Sequence, residues 1–322
     1  MSPFKGSGVT TMASTSLERK AGNAGSRCES GHGPAAETDG GALGIHTHSI
    51  PVSGALRPYV NALVAAELSA AGPVPLAIAP HESMMLSVQL GRASDCIEQK
   101  GAHGENTCLT GIRRWTGKFT GAGDCVTLFA LLTPLGSIHL MESQPLDQVP
   151  RIRARVDEIL DRKLTRRLES DIALGGTLED KLRTFGAWLE ARATAQRRLT
   201  TAALRAGRAA MRVCREPGVP METLADEQHV SRRQLERDFG QWIGTSPRHL
   251  AQVARVQAVS RRAQGAASLA DIAADVGFAD QAHMTRVVRQ LTGLTPQRLR
   301  RPGRTPIASA FRCATGGGTV YL

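Results

Sequence analysis

The sequence predicts an α+β fold: a strand-rich N-terminal domain with a helical extension, then an all-α region of two helix-turn-helix units joined by a long helix. Three observations predict it. A degenerate repeat occupies the C-terminal third: TLADEQHVSRRQLERDFGQWIGTSP, Thr223 to Pro247, recurs as DIAADVGFADQAHMTRVVRQLTGLTP, Asp271 to Pro296. Between Gly44 and Met141 short apolar runs are broken by Gly, Pro and Asn, the texture of strands and turns. From Leu146 to Pro217 the apolar residues return every three or four positions, as on helices.

Length and composition bound the reading. A chain of 322 residues accommodates two domains. The net charge of +11 and pI near 10 favour an anionic partner, and a nucleic acid and a membrane surface both qualify. From Arg215 to Arg304 there are 14 Arg, no Lys and 9 acidic residues, an excess of +5, so the repeat itself is basic. Arginine presents a planar fork of donors suited to phosphates and guanine edges, although Arg over Lys also follows from a GC-rich genome. None of the six cysteines forms C-x-x-C or a zinc-like spacing, which points to reduced thiols. No apolar run is long enough to span a membrane, and the N-terminus lacks a signal core. These features together predict a cytoplasmic chain with no membrane partner.

Each element has its own justification. Residues 1–43, rich in Gly, Ser, Ala and Thr without apolar periodicity, read as a disordered leader. Residues 44–195 form one domain, strand-rich over 44–141 and helical over 146–195. Strands are expected at Val74–Ile78, Met84–Leu90, Gly111–Phe119 and Val126–Leu132, and a helix at Arg57–Ala71. In the extension, Val149–Leu168 carries Ile152, Val156, Ile159, Leu160 and Leu164 at helical spacing, and Leu178–Ala193 carries Leu182, Phe185 and Leu189. Residues 196–304 form the DNA-reading domain, opening with a helix over Leu199–Cys214. Residues 305–322, with Gly316-Gly317-Gly318, form a loose tail.

Within the repeat, Leu224-Ala225 aligns with Ile272-Ala273, Val230 with Phe278, Leu235 with Met284, Phe239 with Val288, and Gly244 and Pro247 with Gly293 and Pro296. In the first unit Met221–Gln228 is the support helix, His229-Val230 the turn, and Ser231 the N-cap of a recognition helix over 231–243. Its outer face presents Arg233, Glu236 and Arg237, with Arg232 near the start. Ser246 caps a linker helix, Pro247 to Gln264, with proline at the first position. In the second unit Ser268 caps Leu269–Val276, Gly277 turns the chain, and Asp280 caps a recognition helix over 280–292. Gln281, Ala282, Thr285 and Arg286 point outward, with His283 and Arg289 on the flanks. Gln suits adenine, Arg guanine, and Ala a thymine methyl. Thr295 caps a last turn begun by Pro296. The candidate DNA-binding set is therefore Ser231, Arg232, Arg233, Glu236, Arg237, Gln281, Ala282, His283, Thr285, Arg286 and Arg289.

The segment from about Leu199 to Arg301 resembles the DNA-binding domain of the AraC/XylS transcription regulators. The phrases that carry the resemblance are SLADIAADVGFADQAHMTR, from Ser268, and GLTPQRLR, from Gly293. It covers about a third of the chain. His229 stands where that family often has Gly, Met284 and Val288 where it has Phe, and Leu299 where an aromatic is common. The resemblance implies two recognition helices in successive major grooves of double-stranded promoter DNA, about 34 Å apart. It further implies a homodimer, a small-molecule effector acting on the N-terminal half, and RNA polymerase as a partner.

The N-terminal half carries no nucleophile elbow, P-loop or dinucleotide fingerprint, so neither a catalytic residue nor a cofactor is expected. An alternative is a metal-dependent enzyme or metal sensor fused to the reader. Its ligands would come from His46, His48, His81, Glu82, His139 and Glu142, and a site needs three or four of them to converge. Scattered surface histidines are the plainer reading, and no metal site is assigned. Cys96, Cys108 and Cys125 would sense oxidants only if their thiolates were activated; buried or idle thiols are the plainer reading.

Overall fold

The computed structural model describes residues 36–38, 41–70, 72–91, 95–96, 106–121, 123–141, 153–156, 160–195, 199–300 and 312. The expectations for residues 1–35 and for the tail after Arg304, Arg312 apart, lie outside them.

The strands are β1 (Ala36–Thr38), β2 (Gly41–Ile50), β3 (Val60–Ser69), β4 (Val74–Ile78), β5 (Met84–Gly91), β6 (Asp95–Cys96), β7 (Thr107–Thr110), β8 (Gly117–Gly121), β9 (Cys125–Leu132) and β10 (Arg153–Arg155). Among the described residues they form two antiparallel sheets, ordered β1-β2-β3-β9-β5-β7-β10 and β4-β8-β6. Side chains alternate across the larger sheet. Ala62, Val64 and Ala66 of β3, Met85 of β5 and Leu131 of β9 pack with Leu76 and Ile78 of the smaller sheet. The intervening residues Leu63, Ala65, Leu86, Val88, Leu128 and Ala130 enter the core on the opposite face.

That double burial corrects the expected helix at Arg57–Ala71. Within it Val60–Ser69 is strand β3, interior in the sheet, with both faces apolar, so the period-2 signal is lost from the sequence. Helix-forming Ala and Leu are overridden by pairing on both edges. The expected leader also ends earlier than residue 43, because β1 and the first residues of β2 pair as a hairpin. The expected strand Gly111–Phe119 divides into a connection over 111–116 and the strand β8.

The helices follow: α1 (Pro134–Leu140), α2 (Arg162–Ala173), α3 (Leu178–Thr194), α4 (Thr201–Arg215), α5 (Met221–Glu227), α6 (Arg232–Ile243), α7 (Pro247–Arg262), α8 (Leu269–Val276), α9 (Gln281–Thr292) and α10 (Pro296–Leu299). Sequence reasoning missed α1, although Thr133 caps it and Pro134 opens it, the same pair of signals as Ser246-Pro247. Gly136 is required there, since a Cβ would stand 1.9 Å from the Tyr59 carbonyl oxygen. Of the helix expected at Val149–Leu168, residues 149–152 and 157–159 lie outside the described residues, and the rest is corrected. Residues 153–155 add a strand to the edge of β7, and α2 starts only after the Asp161 cap. The open backbone groups of β7 are satisfied by that pairing, a contact that helical periodicity cannot register. Val156 and Leu160 are buried as expected, while Leu164 is 41% exposed. The helix α3 matches its expectation: Leu182, Phe185 and Leu189 are fully buried, and Thr177 with Asp180 closes a capping box.

The core on the helical face of the larger sheet does not stop at the reading domain. It runs from Leu63 and Leu128 through Ile138 of α1, Phe185 of α3 and Ala206 of α4 to Leu224, Leu235, Phe239 and Leu250. Gly207 allows this close approach; a Cβ there would meet Leu135 and Ile138 at 3.1 and 3.3 Å. A second core joins Val253, Val256, Ile272, Met284, Val288 and Leu291, and it includes Ala79 of the strand-rich half.

Candidate nucleic-acid interface

The two repeats fold by the same local chemistry. In the first turn the Val230 amide donates to the Ala225 carbonyl at 3.1 Å, and in the second the Phe278 amide donates to the Ala273 carbonyl at 2.9 Å. The aligned residues therefore make the aligned bond. Each turn passes through the left-handed region, at His229 (φ 53°) and Gly277 (φ 81°). Among the described residues His229 is the only non-glycine there, and the conformation costs an L-residue about 1–2 kcal/mol.

Caps then set each recognition helix. The Ser231 hydroxyl accepts from the Gln234 amide at 3.2 Å, and the Asp280 carboxylate accepts from the His283 amide at 2.6 Å. Both helices end on left-handed glycines, Gly244 (φ 70°) and Gly293 (φ 75°). Ser246 and Thr295 cap the helices that follow, each opening on proline. Inward, Leu235, Phe239, Met284 and Val288 are fully buried. Each such side chain contributes about 1.5–3 kcal/mol of burial, and Met284 and Val288 fill the core of the second unit.

Outward, Ser231, Arg232, Arg233, Glu236 and Arg237 are exposed on α6 and its cap, as are Gln281, Ala282, Arg286 and Arg289 on α9. His283 and Thr285 are half-buried. The His283 ring meets Phe278 edge-on at 5.5 Å between centroids, and the Thr285 hydroxyl donates to the Gln281 carbonyl at 2.8 Å. Arg232 lies between Glu222 and Glu236, 3.1 Å from each, and its hydrogen bond to Glu236 raises its pKa further. Among the described residues Arg233, Arg237, Arg286 and Arg289 make no ion pair, which leaves their guanidinium groups in solvent. The outer faces thus carry uncompensated forks suited to phosphate or guanine.

Two supports were not read from the sequence. Asp238, buried on the inner side of α6, takes Arg205 of α4 at 2.7 Å and the Gln234 amide at 2.8 Å. An acidic residue three positions after Leu235 on an inward arc was the available signal. The other support is an inner stripe of α7: His249, Val253, Gln257 and Arg261, four apart, face the strand-rich half.

Comparison with known families places residues 224–302 in a helix-turn-helix domain family, which spans both turns and both recognition helices. Residues 224–302 thus match a helix-turn-helix domain model. No curated protein matches the sequence. Among solved structures, this chain is similar to the C-terminal domain of AraT, a response regulator from Geobacillus stearothermophilus, at 23% identity over 34% of this chain and 90% of that one, with a TM-score of 0.30. It is also similar to ToxT from Vibrio cholerae O395, at 11% identity over 80% and 97%, with a TM-score of 0.40.

The candidate metal ligands of the alternative reading do not converge among the described residues. His48 faces Glu179 at 3.7 Å, the His81 Nδ1 accepts from the Ser83 amide, and His139 stacks on Tyr59 with its Nε2 at the Ala193 carbonyl. Glu142 lies outside the described residues. Among those described, no three His, Cys, Asp or Glu residues are grouped to hold a metal. No helix among them is long and apolar enough to cross a membrane. The Cys108 and Cys125 thiols are buried, and burial raises the Cys125 pKa, which disfavours the thiolate. The Cys96 side chain lies outside the description.

Proposed function

We propose that this regulator reads promoter duplex DNA by placing α6 and α9 in successive major grooves. The carrying observation is that both units present the same turn, cap and exit geometry, with exposed arginines on matching faces. The linker α7 has 16 residues, which makes it a rod about 24 Å long. Arg237 and Arg286 contact bases or phosphates, Gln281 and Ala282 read an A·T pair, and Arg233 and Arg289 hold the backbone. Ser231 and Thr285 act locally, as cap and helix support, and His283 braces the turn. Glu236 with Arg232 contributes less, since each is already engaged.

The strand-rich half carries the signal. The recess lined by Ile78, His81, Ser83, Met85 and Leu131 has room for about one water molecule, so a small effector would need that half to open. The family resemblance adds a homodimer and RNA polymerase as a partner, and the sequence features add a cytoplasmic setting.

Selection of bound duplexes from a random pool by the full chain tests this reading. Two sharp boxes about one helical turn apart support it. Strong salt-dependent binding without a motif overturns it.

A further inference from the structure

The second reading unit is tied to the strand-rich half at several points. The Thr116 hydroxyl, from the 111–116 connection, lies 3.2 Å from the Leu291 carbonyl and 3.0 Å from the Thr292 carbonyl. Those are end carbonyls of α9, with no partner inside the helix. A side chain of the N-terminal half therefore caps the second recognition helix. Along α7, the Gln257 amide donates to the Pro80 carbonyl at 2.6 Å, with Gln257 fully buried. Arg261 pairs with Glu82 at 3.3 Å, and the His249 Nε2 sits 2.9 Å from the Arg113 carbonyl. Ala79 and Ile112 complete the contact by packing into the core of the second unit.

The first unit is held differently. It is fused to the rest through the continuous apolar core and the Arg205–Asp238 pair, which lie behind α6. The polar ties to the strand-rich half named above bear on α7 and α9. Apolar packing tolerates small slides, whereas a hydrogen-bonded helix end holds direction.

We propose that Thr116, with Glu82 as the second anchor, is a positioning residue for the second recognition helix. The connections 79–83 and 111–116 of the N-terminal half fix where α9 meets DNA, so a signal in that half acts on the second box while the first box is held. This inference rests on the DNA-reading function proposed above.

The test uses the full chain on the duplex it selects, with the two boxes scored separately by footprinting. The variants are Thr116→Val, which keeps shape and removes the hydroxyl, Thr116→Ser, which restores it, and Glu82→Gln. The expected result for Thr116→Val is second-box protection weakened about fivefold, the weight of one hydrogen bond, with the first box unchanged and Thr116→Ser restoring the second. Glu82→Gln shifts the same box in the same direction. Amide exchange without DNA gives a second readout: the last turn of α9 exchanges faster in Thr116→Val and α6 does not. Equal loss at both boxes, no loss at either, or unchanged exchange at α9 overturns the inference while leaving DNA reading intact. A wild-type chain without two boxes overturns the reading itself, and the inference with it.

Discussion

Arg205 reaches across from α4 to close a buried ion pair on Asp238 of α6, with Nη2 2.7 Å and Nε 2.8 Å from one carboxylate oxygen. The Asp238 side chain is 2% exposed and Arg205 19%. Removing the arginine strands a carboxylate away from water, with only Gln234 left to it. Arg205→Leu is expected to destabilise the fold by about 3 kcal/mol, and Asp238→Asn by less, because the amide keeps an acceptor oxygen. Urea unfolding checks both. A midpoint for Arg205→Leu equal to wild type would show that the pair adds nothing.

The two turns differ in one respect that stability can read. His229 is exposed and sits at φ 53°, so its side chain has little packing to lose. His229→Gly should be neutral or stabilise by up to about 1 kcal/mol, since relief of the left-handed strain is offset by the greater freedom of glycine in the unfolded chain. Gly277→Ala should cost about 1 kcal/mol at φ 81°, although no atom lies within 4 Å of its added Cβ. Melting temperatures of the pair decide it: a loss in His229→Gly would mean that the imidazole makes a contact of its own.

On the reading faces, charge availability ranks the arginines. Arg237→Ala and Arg286→Ala should each cost about 1–3 kcal/mol and relax preference at one base pair. Arg232→Ala should cost less, because Glu222 and Glu236 already share its charge. Competition binding against single-base variants of the selected site measures the order. Unchanged affinity and specificity in Arg286→Ala would rule out the docking described above.

Acid stability reports on His81. Burial lowers its pKa below the ordinary 6.5; Glu82 partly opposes this and Arg261 reinforces it. The unfolded chain therefore binds a proton near pH 6.5 that the folded chain refuses until lower pH. Stability from this group is full above 6.5 and declines as pH falls below it, by at most about 1.4 kcal/mol per pH unit. In His81→Asn, which retains an acceptor for the Ser83 amide, the acid limb should be shallower. Parallel limbs in the two proteins would assign the acid loss to other groups.

Legibility differed sharply between the halves. Ser231, Asp280, Ser268 and Thr295 were all readable as caps, and Gly277 as a turn, because a cap or turn is decided by neighbours three or four positions away. The segment Val60–Ser69 was misread as a helix because neither of its faces is polar, so the pattern that distinguishes strand from helix is absent. Residues 153–155 were misread for another reason: their partner β7 lies more than forty positions upstream. The exposed polar positions of α6 and α9 were legible in the sequence, but Arg232 and Arg237, alike in sequence, differ once Glu222 is folded beside the first.

The sequence by itself determined the tandem reader: two amphipathic helix pairs, their caps, their turns and the arginines on their outer faces. All of these follow from spacing within one or two helical turns. Only the tertiary structure decided how the reader is joined to the strand-rich half. Its first unit completes a core begun on the sheet, and its second is capped by Thr116, 176 positions before Thr292. Contacts at that separation leave no periodic trace in a single chain. They form when a buried donor or an apolar face must find a partner, and folding supplies that partner from elsewhere.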